Sequence, residues 1–372
     1  MSNLLKLAML LAVAFTLNCH AALMLVNDPC LSVWVNREEH QGPYEYPLVP
    51  HGRAVGLYTQ ICYGEIVAKQ EVGNGLVAVQ VPGQLRFSLS EQGVGAIPGF
   101  SQAAGLIKND DLLELQPLVV TADAATVHKR PCPRTRGSEI IRVPFGSILR
   151  AADQPDHEDW RAVHLHDGRI GYVQQVDIAV YGERMPSPEL LRESILYHAQ
   201  RFVGMPYNLG GRSLFKKGEN RVLSSVDCSA LVFLAYHACG LFIPKTAHPQ
   251  FLFSTECDPV DMQPGDLVFF KRKSKNFALV GHVAMYLGNG QLIESTGLKN
   301  SEQRVRIVSV ENYFGAPLED LYQGCEVMQA DKEAHATLFF RTFLPSDAAA
   351  LGLRRKFLSL MRGDFTSLLD AP

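Results

Sequence analysis

Apolar residues first mass in a largely unbroken run, Leu7 to Leu17, behind Lys6 and ahead of Asn18-Cys19-His20-Ala21-Ala22. A positive residue, a short apolar stretch and small residues at its end mark a secretory leader, and the run falls short of the roughly 20 residues that span a bilayer. Residues 1–21 are therefore expected to be a signal peptide cut after Ala21, with lipidation of Cys19 as the alternative. From about residue 25 to 184 the rhythm shortens. Runs such as Leu76-Val77-Ala78-Val79-Gln80-Val81 and Trp160-Arg161-Ala162-Val163-His164-Leu165 lie between Gly, Pro, Asp and Asn. That punctuation predicts short strands in small barrels rather than βαβ units.

The period changes at Ser187. Leu190, Leu191, Ile195, Leu196 and Ala199 fall at helical spacing within 189–202, behind a Ser-Pro-Glu start. A second helical pattern follows Asp227, carried by Leu231, Val232, Leu234, Ala235 and Ala238 and stopped by Gly240. Strand-like runs come next, at 266–270, 282–287, 291–294 and 338–342. Helices followed by an antiparallel series predict an α+β domain. The stretch from Asp347 to Met361 reads as a terminal amphipathic helix to which the sequence attaches no role.

With 372 residues the chain has room for two or three domains, and 47% apolar against 20% charged residues is the balance of a globular protein. A formal net charge of -3 offers nucleic acid no electrostatic footprint. There are eight cysteines, and loss of a leader containing Cys19 leaves seven. An odd count in an exported chain leaves at least one thiol unbridged beside up to three disulfides, although buried thiols account for most of them equally well. No pair has CxxC spacing, so zinc and dithiol redox motifs lack support.

Candidate chemistry gathers in the second half. Cys228, in Asp227-Cys228-Ser229, stands where a loop becomes a helix, and the positive end of a helix dipole favours the nucleophilic thiolate. A cysteine hydrolase also needs a base and a group to orient that base. His282 opens a strand, and Glu294 lies on the next strand across the turn Gly288-Asn289-Gly290, where a hairpin can set the two side by side.

Four segments make this more than a pairing on paper. Gly204-Met205-Pro206-Tyr207-Asn208-Leu209-Gly210-Gly211, Asp227-Cys228-Ser229-Ala230-Leu231-Val232, Pro264-Gly265-Asp266-Leu267-Val268-Phe269-Phe270 and Gly281-His282-Val283-Ala284-Met285-Tyr286-Leu287-Gly288 occur in that order. Together they resemble the NlpC/P60 cysteine peptidases, with their "G-x-PY-x-x-GG", "DCSGLV", "PGDLVFF" and "HVGIYLG" motifs. Upstream, Gly146 to Leu149, Trp160 to Val163 and Asp167-Gly168-Arg169-Ile170-Gly171-Tyr172-Val173 resemble the bacterial SH3-like (SH3b) domain, and residues 59–100 resemble a divergent second copy.

The resemblance implies a papain-like α+β catalytic domain over 187–345, behind SH3b-like barrels at 25–115 and 116–184 and ahead of a helical tail at 346–372. It assigns Cys228 as nucleophile, His282 as base, Glu294 as the third polar residue, and Tyr207 with the Cys228 N–H as oxyanion donors. Asp227 and Ser229 fall where SH3b-bearing members hold the free amino end of a peptide. Plainer roles compete: strand residue for Glu294, packing for Tyr207, helix cap for Asp227 and Ser229. The sequence departs from the family in carrying Glu294 where His, Asn or Gln is usual, Ala230 for Gly, and a long segment from Ser213 to Ser225.

The implied activity is hydrolysis of the γ-D-glutamyl–L-diamino acid bond in peptidoglycan peptides, without metal or organic cofactor, outside the cytoplasm. Short fragments with free N-terminal L-alanine are the expected substrates. Polymeric wall, an inactive wall-binding role, and acyl transfer or deamidation on the same scaffold are the alternatives.

Overall fold

Alternation builds the first sheet. In the computed structural model, Val77, Val79 and Val81 of one long strand turn inward and are buried, while Ala78 and Gln80 between them stay half-exposed. The structure describes residues 22–368 apart from 28–29, 35–47, 50–52, 55–56, 74–75, 89–92, 133–136, 183, 215–223, 273–278, 298–302 and 330–333. The expected leader and most of the long segment after Ser213 thus lie outside the described residues.

The first sheet contains β1 (Ala22–Val26), β2 (Cys30–Trp34), β3 (Leu57–Cys62), β4 (Ile66–Gly73), β5 (Leu76–Ser88), β6 (Gly93–Gln102) and β7 (Leu106–Ile107). They lie in the order β3-β2-β6-β5-β4-β1-β7, around a core of Val26, Val33, Ile61, Val67 and the three valines of β5. The second sheet contains β8 (Pro117–Val120), β9 (Ala124–His128), β10 (Glu139–Pro144), β11 (Ile148–Ala151), β12 (Trp160–His164), β13 (Ile170–Gln174) and β14 (Ile178–Val180). Their order is β10-β9-β13-β12-β11-β8-β14, around Leu118, Val120, Val127, Val143, Leu149 and Val163.

These two sheets touch at Gly64, whose φ of 82° and lack of a side chain are both needed. A Cβ there would lie 1.9 Å from the Ile148 carbonyl oxygen. Beside it the Ile148 N–H donates to the Tyr63 carbonyl at 2.8 Å, and the Tyr63 ring stacks on His166.

The third part is α+β. Helix α1 (Pro188–Gln200) starts on a Ser187 cap and precedes α2 (Cys228–His237) and α3 (Ala247–Phe253). The sheet is β15 (Thr255–Glu256), β16 (Leu267–Arg272), β17 (His282–Gly288), β18 (Gln291–Ser295) and β19 (Val305–Ser309). Short helix α4 (Val310–Phe314) follows, then β20 (Glu326–Gln329) and β21 (Ala334–Thr342). Strand order is β15-β21-β16-β17-β18-β19, with β20 paired to β21, and all ladders are antiparallel. Every residue of α2 is buried, because α1 covers one side and β17 the other. A helix apolar on all faces belongs at a domain centre.

The last helix, α5 (Asp347–Met361), has a structural role that its sequence does not announce. Phe357, Leu360 and Met361 pack with Leu85 and Val94 of the first sheet, Val119 and Ile148 of the second, and Phe242 of the third part. Arg354, 2% exposed, donates to the carbonyls of Gly240, Gly182 and Cys239 at 2.8–2.9 Å. Arg150 of β11 donates to the Met361 carbonyl at 2.6 Å. The described cysteines are all thiols.

Candidate active site

Cys228 is the first residue of α2, and the element is capped in the way its sequence requires. Asp227, extended at ψ 174°, accepts the Ala230 N–H at 2.7 Å. The first amides of a helix lack intrahelical partners, so the Cys228 N–H points out of the helix end beside its own thiol. The thiol itself is 8% exposed. Burial, and after it the Asp227 charge, push the thiol up to about 12, against the pull of the Val283 and Ser229 main-chain groups and of Lys245. Burial thus opposes the pull of the helix end, and a base that takes the proton favours ionisation.

That base is at hand. The Val283 main-chain group reaches Cys228, which sets the thiol against the start of β17, where His282 stands. His282 is 5% exposed, with its ring edge-on to Phe270, its cross-strand neighbour on β16, at 5.0 Å between centroids. Its Nε2 lies 2.5 Å from Glu294 Oε2. The hairpin register explains this: Met285 faces Ile293, so one step on Glu294 comes opposite Ala284, on the same face as His282 and diagonal to it. With Nε2 on the carboxylate, Nδ1 is the ring nitrogen for the thiol proton.

Glu294 is fully buried, with an exposure of 0%. Its register partner on β19 is Arg306, whose Nε and Nη2 donate to Oε1 at 3.1 and 2.7 Å. The Tyr313 hydroxyl of α4 lies 3.1 Å from both carboxylate oxygens and receives the Gln329 amide of β20 at 2.8 Å. Sequence reasoning missed all three. Alternation in Arg304-Val305-Arg306-Ile307-Val308 was the available signal for Arg306. Tyr313 and Gln329 arrive from elements whose placement only the sheet order reveals.

Tyr207 is brought near by its backbone, which bridges Val226, two residues ahead of Cys228. Its half-buried ring lies against Gly297, where a Cβ would sit 2.2 Å from the ring carbons. Asp227 is fully engaged. Oδ1 accepts from Ala230 N and the Ser229 hydroxyl at 2.7 and 3.0 Å, and Oδ2 accepts from Lys245 Nζ and Gly210 N at 2.7 and 3.0 Å. Each carboxylate oxygen thus already carries two donors. Lys245, 2% exposed, is another residue that sequence reasoning passed over.

The structure thus sets His282 and Glu294 on two neighbouring inner strands beside Cys228, with Tyr207, Asp227 and Ser229 around the start of α2. Among the described residues no group of three or more His, Cys, Asp or Glu side chains could hold a metal ion. No helix among them is long and apolar enough to cross a membrane.

A cysteine at a buried helix start, set against an imidazole–carboxylate pair on an antiparallel sheet, defines a cysteine hydrolase site. The NlpC/P60 family profile matches residues 204–316, a span that contains all of these groups except Gln329. The chain carries an NlpC/P60 family domain. It is 26% identical over 269 residues to a γ-D-glutamyl-L-lysine dipeptidyl-peptidase of Bacillus cereus, covering 70% of this chain and 74% of that protein. A protein of the same name from Bacillus subtilis is 25% identical over 239 residues, with 64% and 72% covered. The crystal structure of an NlpC/P60 family protein from Bacillus cereus superposes with a TM-score of 0.64 at 20% identity, covering 87% of this chain and 100% of that one. The shared fold therefore extends into the β-rich N-terminal half.

Proposed function

We propose that this protein is a cysteine endopeptidase that hydrolyses the γ-D-glutamyl–L-diamino acid bond of peptidoglycan-derived peptides. The observation that carries the reading is the 2.5 Å pair of His282 Nε2 and Glu294 beside the Cys228 thiol, inside an NlpC/P60 domain. The names of the Bacillus relatives support the bond type.

In this reading His282 Nδ1 takes the Cys228 proton as sulfur attacks the γ-carbonyl of D-glutamate. The Cys228 N–H and the Tyr207 hydroxyl receive the oxyanion, which is where a pre-set donor contributes most. The imidazolium, balanced by Glu294, protonates the departing amine of the diamino acid. Water, deprotonated by His282, then cleaves the thioester and restores the thiol. Asp227 and Ser229 serve the substrate side indirectly, by fixing Gly210 and the start of α2. Two SH3b-like barrels at 25–115 and 116–184 narrow the groove to short peptides with a free N-terminal L-alanine. The apolar leader directs the protein out of the cytoplasm, to where such fragments arise.

Mass spectrometry of L-Ala-γ-D-Glu-meso-diaminopimelate incubated with the protein and with Cys228→Ala tests this. Release of L-Ala-γ-D-Glu by the unaltered protein alone is the expected outcome, with intact sacculi left undigested. Cleavage of sacculi but not of the tripeptide would move the substrate to polymeric wall.

A further inference from the structure

In families of this architecture the third residue is usually neutral, whereas here it is a carboxylate with no exposed surface. A buried carboxylate without compensation costs several kcal/mol and would hold a proton tightly. The sheet answers by placing Arg306 directly opposite Glu294 and by closing the remaining side with the Tyr313 hydroxyl, itself held by Gln329. The Arg306 guanidinium also stands 5.6 Å from the Tyr313 ring centroid, so cation, carboxylate and phenol form one packed unit.

We infer that Arg306 and Tyr313 are positioning residues for catalysis, which keep Glu294 ionised and oriented so that the proton stays on His282 Nε2 and Nδ1 remains the base. The inference rests on the functional reading above. Chemically, one oxygen of Glu294 is committed to Arg306 and the other to His282, so the carboxylate cannot rotate and the imidazole cannot exchange tautomers without breaking a charge-assisted bond. Among the described residues the groups seen to face the pair include Arg306 from β19, Tyr313 from α4 and the apolar Phe270 ring from β16, and the Cys228 thiol from α2 meets the main chain of the next residue, Val283. Gln329 from β20 brings a neutral amide, and the Asp227–Lys245 ion pair adjoins Cys228 along the chain.

The sign of the pH effect follows. Removing the Arg306 cation raises the affinity of every group in the cluster for a proton, so the whole pH profile moves to higher pH. Replacing Glu294 by Gln removes an anion and moves it back. The test is the pH dependence of kcat and of Cys228 alkylation by iodoacetamide in R306M, Y313F and E294Q/R306M. Expected for R306M are a roughly ten- to hundredfold loss of kcat near neutral pH, KM within about threefold, and a rise of about one pH unit in both profiles. Y313F, which keeps its ring, shifts less and in the same direction. E294Q/R306M is more active than R306M, because the uncompensated charge is gone. Profiles of R306M and Y313F that stay in place, or a double variant no better than R306M, overturn the inference and leave the functional reading intact. An unaltered protein with neither Cys228-dependent cleavage nor selective alkylation overturns both. Should R306M not fold, Y313F and the double variant decide.

Discussion

At the scale of single residues, the nucleophile is held in a balance that its immediate sequence conceals. Burial and Asp227 work against ionisation of Cys228, and Lys245 works for it from the other end of the Asp227 carboxylate. Removing Lys245 therefore has two consequences. Lys245→Met leaves a buried carboxylate short of its cation, which costs about 3–5 kcal/mol of stability, seen as an earlier denaturant midpoint. It also moves the thiol further from ionisation, so that alkylation of Cys228 slows at every pH below the thiol's own range. An earlier midpoint with unchanged alkylation would show Lys245 to be structural only. The Cys228, His282 and Glu294 positions were legible in the sequence because motif and hairpin spacing place them locally. Lys245 was not, since it lies 18 positions beyond Asp227, past a helix and a turn.

At the scale of elements, the hairpin β17–β18 supplies the imidazole and its carboxylate, and the turn after it seats Tyr207. Gly297 follows β18, and any side chain there would collide with the Tyr207 ring. Gly297→Ala therefore displaces Tyr207 from the Cys228 end of α2. If Tyr207 donates to the oxyanion, Gly297→Ala and Tyr207→Phe both lower kcat by about 10²–10³ with little change in KM, as steady-state kinetics would show. A normal kcat in Tyr207→Phe reduces the ring to packing. The α+β order of helices and strands was readable from the shift in apolar period at Ser187, and α2 from its cap and Gly240 stop. Pairing was less so. The facing of Arg306 and Glu294 is a register between strands joined through residues 296–304, and nothing in local alternation fixes it.

For the whole molecule, α5 joins surfaces from the first two sheets and the third part, and its Arg354 donates to three main-chain carbonyls, those of Gly240 and Cys239 in buried residues. Arg354→Met should cost roughly 3 kcal/mol and lower the melting temperature by several degrees. Activity at low temperature should persist, because the residue touches nothing in the site; a thermal scan paired with an assay at 20 °C or so checks both. The amphipathic pattern of 347–361 foretold the helix but not its partners, which are drawn from residues as far away as Leu85.

The position of that helix along the chain has a consequence for synthesis. Both β-rich sheets and the catalytic part leave the ribosome before Asp347 does, and each can collapse on its own core as it appears. The wedge that unites them arrives after all of its docking surfaces. Until then Leu85, Val119, Ile148 and Phe242 present greasy flanks to one another and to neighbouring chains. A nascent chain interrupted before residue 347 would thus keep a sticky seam uncovered, recognisable to chaperones and proteases.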